Sequence, residues 1–179
     1  MRIFSSRCHR FEYRVTAASP CAVGLEPSDV GVTKPFFDCL LLLVGVERGD
    51  LALTPAAVDI VKRLATHSGS SYIVIDGFAQ WAGPDEHIGA ATEFDVLAGL
   101  ADALDVLADL TERLQERGEL VHLMPFGWSK VRRAEVLDGQ WAQHITDVRH
   151  DARPVWSTRS RPGWSLTPRM RVPCAGNRH

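Results

Sequence analysis

The run Phe36-Phe37-Asp38-Cys39-Leu40-Leu41-Leu42-Leu43-Val44-Gly45-Val46 constrains this chain more than any other stretch. It is nearly continuous in apolar residues and far too short to span a bilayer as a helix. Such a run needs cover on both of its faces, the condition of a central strand in a sheet. The chain must therefore supply strands on either side of it and layers above and below.

The flanking sequence offers both. Arg2 to Ser5 and Phe11 to Val15 read as a strand pair or one interrupted strand, and Phe11-Glu12-Tyr13-Arg14-Val15 alternates apolar and polar as a half-buried strand should. Thr16 to Pro35 carries Ala, Ser, Pro and Gly and reads as a long loop. After a turn at Glu47-Arg48-Gly49-Asp50, Thr54-Pro55 opens a helix, with Thr54 as N-cap and Pro55 at the first helical position. Val58, Val61, Leu64 and Ala65 form its apolar stripe, and Ser68-Gly69-Ser70 ends it. Ser71 to Asp76 is a second buried strand, with Gly77-Phe78-Ala79-Gln80 beyond its end.

A polar loop from Trp81 to Gly89 leads to a long helix over about Ala91 to Arg117. Phe94, Leu97, Ala101, Leu104, Leu107, Leu110 and Leu114 recur along it at spacings of three and four. Asp95, Asp102, Asp105 and Asp109 fall largely off that stripe and read as a solvated face rather than a metal site. Gly118 closes the helix. Leu120 to Met124 is a third buried strand. Val131 to Val136 and Trp141 to Val148 then read as a hairpin about the turn Leu137-Asp138-Gly139. Alternation of this kind predicts an α/β (α+β) fold, a mixed β-sheet packed with helices.

Length and composition fit one domain over 1–150 with a tail over 151–179. The tail holds six arginines, four prolines, two tryptophans and one acid, Asp151, without helical or strand period. It reads as a flexible basic segment, or as a nucleic-acid arm in which Trp156 and Trp164 stack on bases. The formal net charge of -2 gives no global signal for a polyanion, so any such contact rests on a local patch. The N-terminal residues lack a signal-peptide core, which makes a soluble cytoplasmic protein the expectation. Cys8, Cys21, Cys39 and Cys174 make no CxxC pair and no zinc-ligand cluster, and Cys39 reads as a buried inert thiol.

Pro125-Phe126-Gly127-Trp128-Ser129-Lys130 is the stretch that points to chemistry. It follows the third strand directly, and its Pro and Gly set the backbone. One reading is a turn with a solvated lysine. The other is a lysine held beside backbone amides to meet an anionic or polar ester substrate. Ligands of such sheets collect beyond strand ends. If the strands ending at Asp76 and Met124 are neighbours, then Ala79, Gln80 and Lys130 line one crevice. Of the histidines, His122 lies in an apolar strand and reads as core, His9 in the first loop is placed to line the site, and His67 and His87 read as solvated.

These residues bring a resemblance into view. Met1-Arg2-Ile3 with Phe11-Glu12-Tyr13-Arg14-Val15, Val44-Gly45-Val46-Glu47, Gly77-Phe78-Ala79, Leu114-Gln115-Glu116-Arg117-Gly118 and above all Pro125 to Lys130 occur in one order over roughly residues 1–150. In this the chain resembles the archaeal-type editing domain of threonyl-tRNA synthetase, a relative of D-aminoacyl-tRNA deacylases. The resemblance implies a D-aminoacyl-tRNA deacylase-like fold in a free-standing form, since the catalytic and anticodon-binding domains are not in this sequence. It implies an aminoacyl-tRNA ester hydrolase that removes serine from threonine tRNA as proofreading, because initial selection cannot fully reject so close an analogue.

It further implies binding of the tRNA 3′ end, a threonyl-tRNA synthetase as a second partner, a homodimer, and neither cofactor nor metal. The family's lysine corresponds to Lys130, and its amino-acid pocket to Gly77, Phe78, Ala79, Phe126, Gly127, Trp128, Ser129 and His9. This chain departs from the pattern at three places. Gln80 stands where relatives carry a histidine. Ser129 replaces the aromatic before the lysine, with Trp128 one position earlier. His144, or its neighbour Gln143, stands where they carry a glutamate. Gln80 cannot shuttle a proton, whereas His144 could supply acid/base capacity. The catalytic set under this comparison is Lys130, His144 and Gln80. The alternative is a repurposed binding homologue with altered or lost catalysis, including one in specialised metabolism.

Overall fold

Fourteen residues containing the apolar run, Thr33–Val46, form strand β2, and the sheet is built around it. The computed structural model describes residues 1–80, 93–139, 141–149 and 155–157. β2 pairs antiparallel with β1 (Arg2–Ala18) on one side and parallel with β3 (Tyr72–Ala79) on the other. From Cys39 onward it is buried almost without interruption, as an interior strand must be. Helix α1 (Thr54–Ser68) connects β2 to β3, as a parallel pair requires. Helix α2 (Glu93–Glu116) leads from β3 towards β4 (Val121–Leu123), which pairs parallel with β3. β5 (Trp128–Val136), β6 (Gln143–Asp147) and β7 (Val155–Ser157) complete a sheet ordered β4-β3-β2-β1-β6-β7, with β5 also on β1.

The fold is thus a mixed α+β architecture whose mixed sheet packs against two helices. No described helix is long and apolar enough to cross a membrane. β7 carries the sheet past residue 150, where composition alone marks the end of the domain. The loop expected from Trp81 to Gly89 and most of the basic tail lie outside the described residues.

Several local expectations change. Of the two forms expected for the N-terminal stretch it takes the second, one strand of 17 residues interrupted by a register shift against β5 between Cys8 and Arg10. The long loop narrows to residues 19–32. Thr54 does not cap α1; it begins the helix, and its Oγ1 donates back to the Leu51 carbonyl at 2.9 Å. Gly77-Phe78-Ala79 belongs to β3 rather than to a loop after it.

The expected hairpin does not form, because β5 and β6 both run antiparallel to β1, end to end along one edge. Arg7 joins them: its carbonyl accepts from Leu137 N at 2.9 Å and its N–H donates to Ala142 O at 2.8 Å. β6 then continues in the direction of β5, both antiparallel to β1. The buried face of α2 consists of Ala103, Val106, Leu107, Leu110 and Leu114, whereas Leu97 is 60% exposed. The expected stripe therefore holds over the last turns and departs from the core towards the helix start.

Both helices cover one face of the sheet, over Ile3, Leu40, Leu42, Val44, Ile73 and Ile75. The other face curls inward over Phe11, Tyr13, Val15, Cys39, Leu41, Val74 and Met124. The curl follows from the length of β1. Its first half pairs with β6 and its second half carries β5, so a twisted strand with a bulge between the halves swings β5 over the sheet. Tyr13 of β1 thereby meets His122 of β4, a strand three places away in the sheet order, at 2.7 Å.

On the helix side, α2 lies directly against β3 at Gly77. A Cβ built there would stand 2.1 Å from Leu107 Cδ1. Gly77→Ala is expected to destabilise the chain by about 1–3 kcal/mol through overpacking, which urea denaturation would read as a lower midpoint with unchanged slope.

Candidate functional site

Alternation along β3 decides which residues share a face. Val74, Asp76, Phe78 and Gln80 point away from the helices, while Ile73, Ile75, Gly77 and Ala79 point towards them. The expected site is therefore split. Gly77 serves helix packing, and Ala79 packs against the helix-side core. Phe78 and Gln80 lie on the curled side, where a Cβ on Gly45 would stand 2.5 Å from Gln80 Oε1 and 3.0 Å from the Phe78 ring. The backbone of Gln80 is fixed by a 2.7 Å bond from its N–H to the Val46 carbonyl.

The Pro125–Lys130 segment acts first as a clasp. The Phe126 carbonyl accepts from Val23 N at 3.1 Å and the Gly127 carbonyl from Ser19 N at 3.0 Å. Trp128 Nε1 donates to the Val23 carbonyl at 2.8 Å. Gly127 has φ 75°, and a Cβ there would stand 2.6 Å from both Ala22 Cα and the Cys21 carbonyl oxygen, so no other residue fits. Phe126 is buried in the helix-side core. Ser129 is exposed, and its carbonyl accepts from Thr16 Oγ1 at 3.2 Å. A cleft of about 240 Å3 opens beside the motif, lined by apolar residues that include Leu25, Leu104, Met124 and Pro125.

Lys130 meets β3 at Asp76, three residues before the strand ends at Ala79, and it does so in the interior. Its Nζ donates to Asp76 Oδ1 at 2.9 Å, and both side chains are only 4% exposed. Arg132, next on the same face of β5, pairs with Asp76 Oδ2 through Nη2 and is 22% exposed. Asp76 and Arg132 are functional candidates that sequence reasoning missed. A carboxylate at the end of a buried strand carried a signal for Asp76, while Arg132 reads from sequence as one polar position of an alternating strand. Two cations on one carboxylate leave a formal surplus of one positive charge facing the curl.

A second polar contact lies beside this cluster. Tyr13 is the cross-strand partner of Arg132. Burial pushes the Tyr13 phenol up to about 12, helped by the charges of Asp29 and Asp76. Burial, and then Lys34, push the His122 imidazole below its ordinary value. Both groups are thus neutral near pH 7, and the phenol donates to Nε2 when the imidazole proton is on Nδ1. Phe36 stacks on the Tyr13 ring and lies tilted against His122.

Two expected residues stand apart. His144 pairs with Ser5 on the helix side of the sheet, is 5% exposed, and packs on Trp141 with ring centroids 4.8 Å apart. It shares no face with Lys130. His9 sits in the bulge of β1, exposed, with Nδ1 3.6 Å from Asp38 Oδ1. Val15, the partner of Lys130, lies six steps further along the strand, about 20 Å at the usual rise. The larger cleft, about 370 Å3, is lined by Arg2, Glu47, Asp50, Asp147 and Arg149 and contains none of the expected site residues. Among the described residues no group of His, Cys, Asp and Glu could hold a metal ion. No protein-family model matches the chain, and no curated protein matches it.

Asp76→Asn would leave Lys130 enclosed beside Arg132 without the carboxylate. A loss of about 3–5 kcal/mol is expected, the usual result of removing one partner of a buried pair; a loss under about 1 kcal/mol by chemical denaturation would show the cluster to be solvated. The lowered His122 pKa sets a pH dependence. The unfolded chain takes up the imidazole proton first, so stability present above about pH 6.5 falls as the pH drops towards the folded value. Denaturation at pH 7.5 and 5.5 is expected to show this slope in the native sequence and a shallower one in His122→Gln.

Proposed function

We propose that this chain is a deacylase that hydrolyses the ester of a mischarged tRNA, with seryl-tRNA(Thr) as its first substrate. The observation that carries the reading is the Lys130 ammonium held 2.9 Å from Asp76, in the inward row that continues through Phe78 to Gln80. Water attack on the acyl carbon puts negative charge on the carbonyl oxygen of the ester, and the bond from that carbon to the ribose oxygen then breaks, the ribose oxygen taking a proton from the attacking water, to give serine and a ribose hydroxyl. A fixed cation pair with a formal surplus of positive charge favours that oxyanion. The Asp76 bond uses one of the three hydrogens of the Lys130 ammonium. The Gln80 amide can accept from the amino group of the substrate and donate to its ester or ribose hydroxyl.

The order of the resembling segments and the curled mixed sheet with both helices on one face support the finer fold reading, a D-aminoacyl-tRNA deacylase-like domain. Under this proposal the partners are the tRNA 3′ end, a threonyl-tRNA synthetase and a second copy of the chain, and the working compartment is the cytoplasm. His144 and His9 take no part in the reaction, because the first is on the other face and the second about 20 Å along β1.

One observation favours a second reading. Lys130 is 4% exposed and already ion-paired, which suits a module that holds an aminoacyl-adenosine end without hydrolysing it. The two readings separate on turnover. Lys130→Ala is expected to slow serine release from seryl-tRNA(Thr) at least about tenfold, equivalent to about 1.4 kcal/mol, and Lys130→Arg to retain more activity because it keeps the charge. An ester left intact at every protein concentration would remove the deacylase reading. Multiple turnover would remove the binding-only one.

A further inference from the structure

We propose that Cys8 and Cys39 are a disulfide-forming pair, a modification site closed by a peroxide across the bend of the sheet. The two are direct cross-strand partners on β1 and β2, both free, and both 0% exposed. Directly opposed residues of antiparallel strands have Cα atoms about 4.5–5.5 Å apart, inside the range of about 4.4–6.8 Å that disulfides span. No strand has to move far for the bond to form.

The Cys8 sulfhydryl has two acceptors in reach, the Ser6 carbonyl oxygen at 3.7 Å and the Cys39 sulfur. Its hydrogen bond to Cys39 pulls the Cys39 thiol below its ordinary value, while that contact and burial push Cys8 up. With the Cys8 proton held at the Ser6 carbonyl oxygen, Cys39 is assigned as the nucleophile and Cys8 as the resolving thiol.

The site also has a means of opening. β1 shifts register between Cys8 and Arg10, and Asp38, immediately before Cys39, has φ 45°, a left-handed conformation unusual outside glycine. Both strands thus depart from regular geometry beside the thiols, under the exposed side chains of His9 and Asp38. Ladder interruptions of this kind are where a sheet admits solvent by local opening.

The chemistry balances with one peroxide. The Cys39 thiolate attacks a peroxide oxygen, the O–O bond breaks, and the departing oxygen leaves as water once protonated, giving Cys39 sulfenic acid. The Cys8 sulfur then attacks the Cys39 sulfur, the S–O bond breaks, and the hydroxide leaves as water with the Cys8 proton. Two thiols are oxidised and one peroxide is reduced to two waters.

The test is to expose the full chain to hydrogen peroxide, block remaining thiols in denaturant and map the peptides by mass spectrometry. A Cys8–Cys39 linked peptide lighter by two hydrogens and reversed by dithiothreitol is expected, together with a higher urea midpoint for the oxidised form. Cys8→Ser should stop the reaction at a Cys39 sulfenic acid that dimedone traps, and Cys39→Ser should leave Cys8 unoxidised. The proposal is overturned if Cys8 and Cys39 both remain alkylatable at peroxide doses that oxidise Cys21, or if the linked peptide contains Cys21 or Cys174.

Discussion

Burial of the Asp76 carboxylate is the constraint on which the rest of this structure depends. A charge taken out of water is tolerated only when paired and hydrogen-bonded. Asp76 lies at the fourth position of a buried run on β3, where the chain itself offers no neutralising neighbour. Its partners come from β5, two strands beyond β2 in the sheet. They can reach it only because β1 is long enough to carry β5 past β6 and bends where its register shifts. The motif clasp at Phe126 to Trp128 serves the same end, since it fixes the chain between β4 and the start of β5 and so sets where Lys130 enters the curl.

That arrangement bears on the proposed chemistry in two opposed ways. A lysine held by a buried carboxylate is oriented before any ligand arrives, so little reorganisation is needed when charge develops on an ester oxygen. The same carboxylate competes with that oxygen for the ammonium. Arg132 changes the balance, because a second cation on Asp76 leaves Lys130 less fully neutralised than in a simple pair. Tyr13, cross-strand from Arg132 and bonded to His122, seals the neighbouring part of the curl with neutral groups.

What was legible in the sequence follows from the range of each interaction. The Phe36 to Val46 run announces an interior strand because burial on both faces is written residue by residue. The Val58, Val61, Leu64, Ala65 stripe is legible for the same reason, and all four are buried. Pairing across long separations is not written locally. Asp138-Gly139 carries the signal of a hairpin turn, yet the strands on either side pair with Arg2 to Ala18, more than a hundred residues earlier. The polar stretch from Ser5 to Arg10 breaks the alternation of β1, so the sequence leaves a strand pair and one interrupted strand both open; the break is a bulge. Gly77 reads as part of a ligand loop because glycines permit close approach; the approaching group is Leu107. The proximity of Lys130 to β3 was within reach of strand-order reasoning. Its enclosure with Asp76 and Arg132 was not, because it depends on the curl.

Under the proposed chemistry an aminoacyl ester is received at the Lys130, Asp76 and Arg132 cluster. A crystal structure of the chain with a non-hydrolysable seryl-adenosine amide tests this placement. The seryl carbonyl oxygen is expected within about 3 Å of Lys130 Nζ or the Arg132 guanidinium, with Gln80 against the amino group or the ribose. An analogue seated instead in the cleft of Arg2, Glu47 and Asp147, or clear density for the unliganded cluster at saturating analogue, would contradict it.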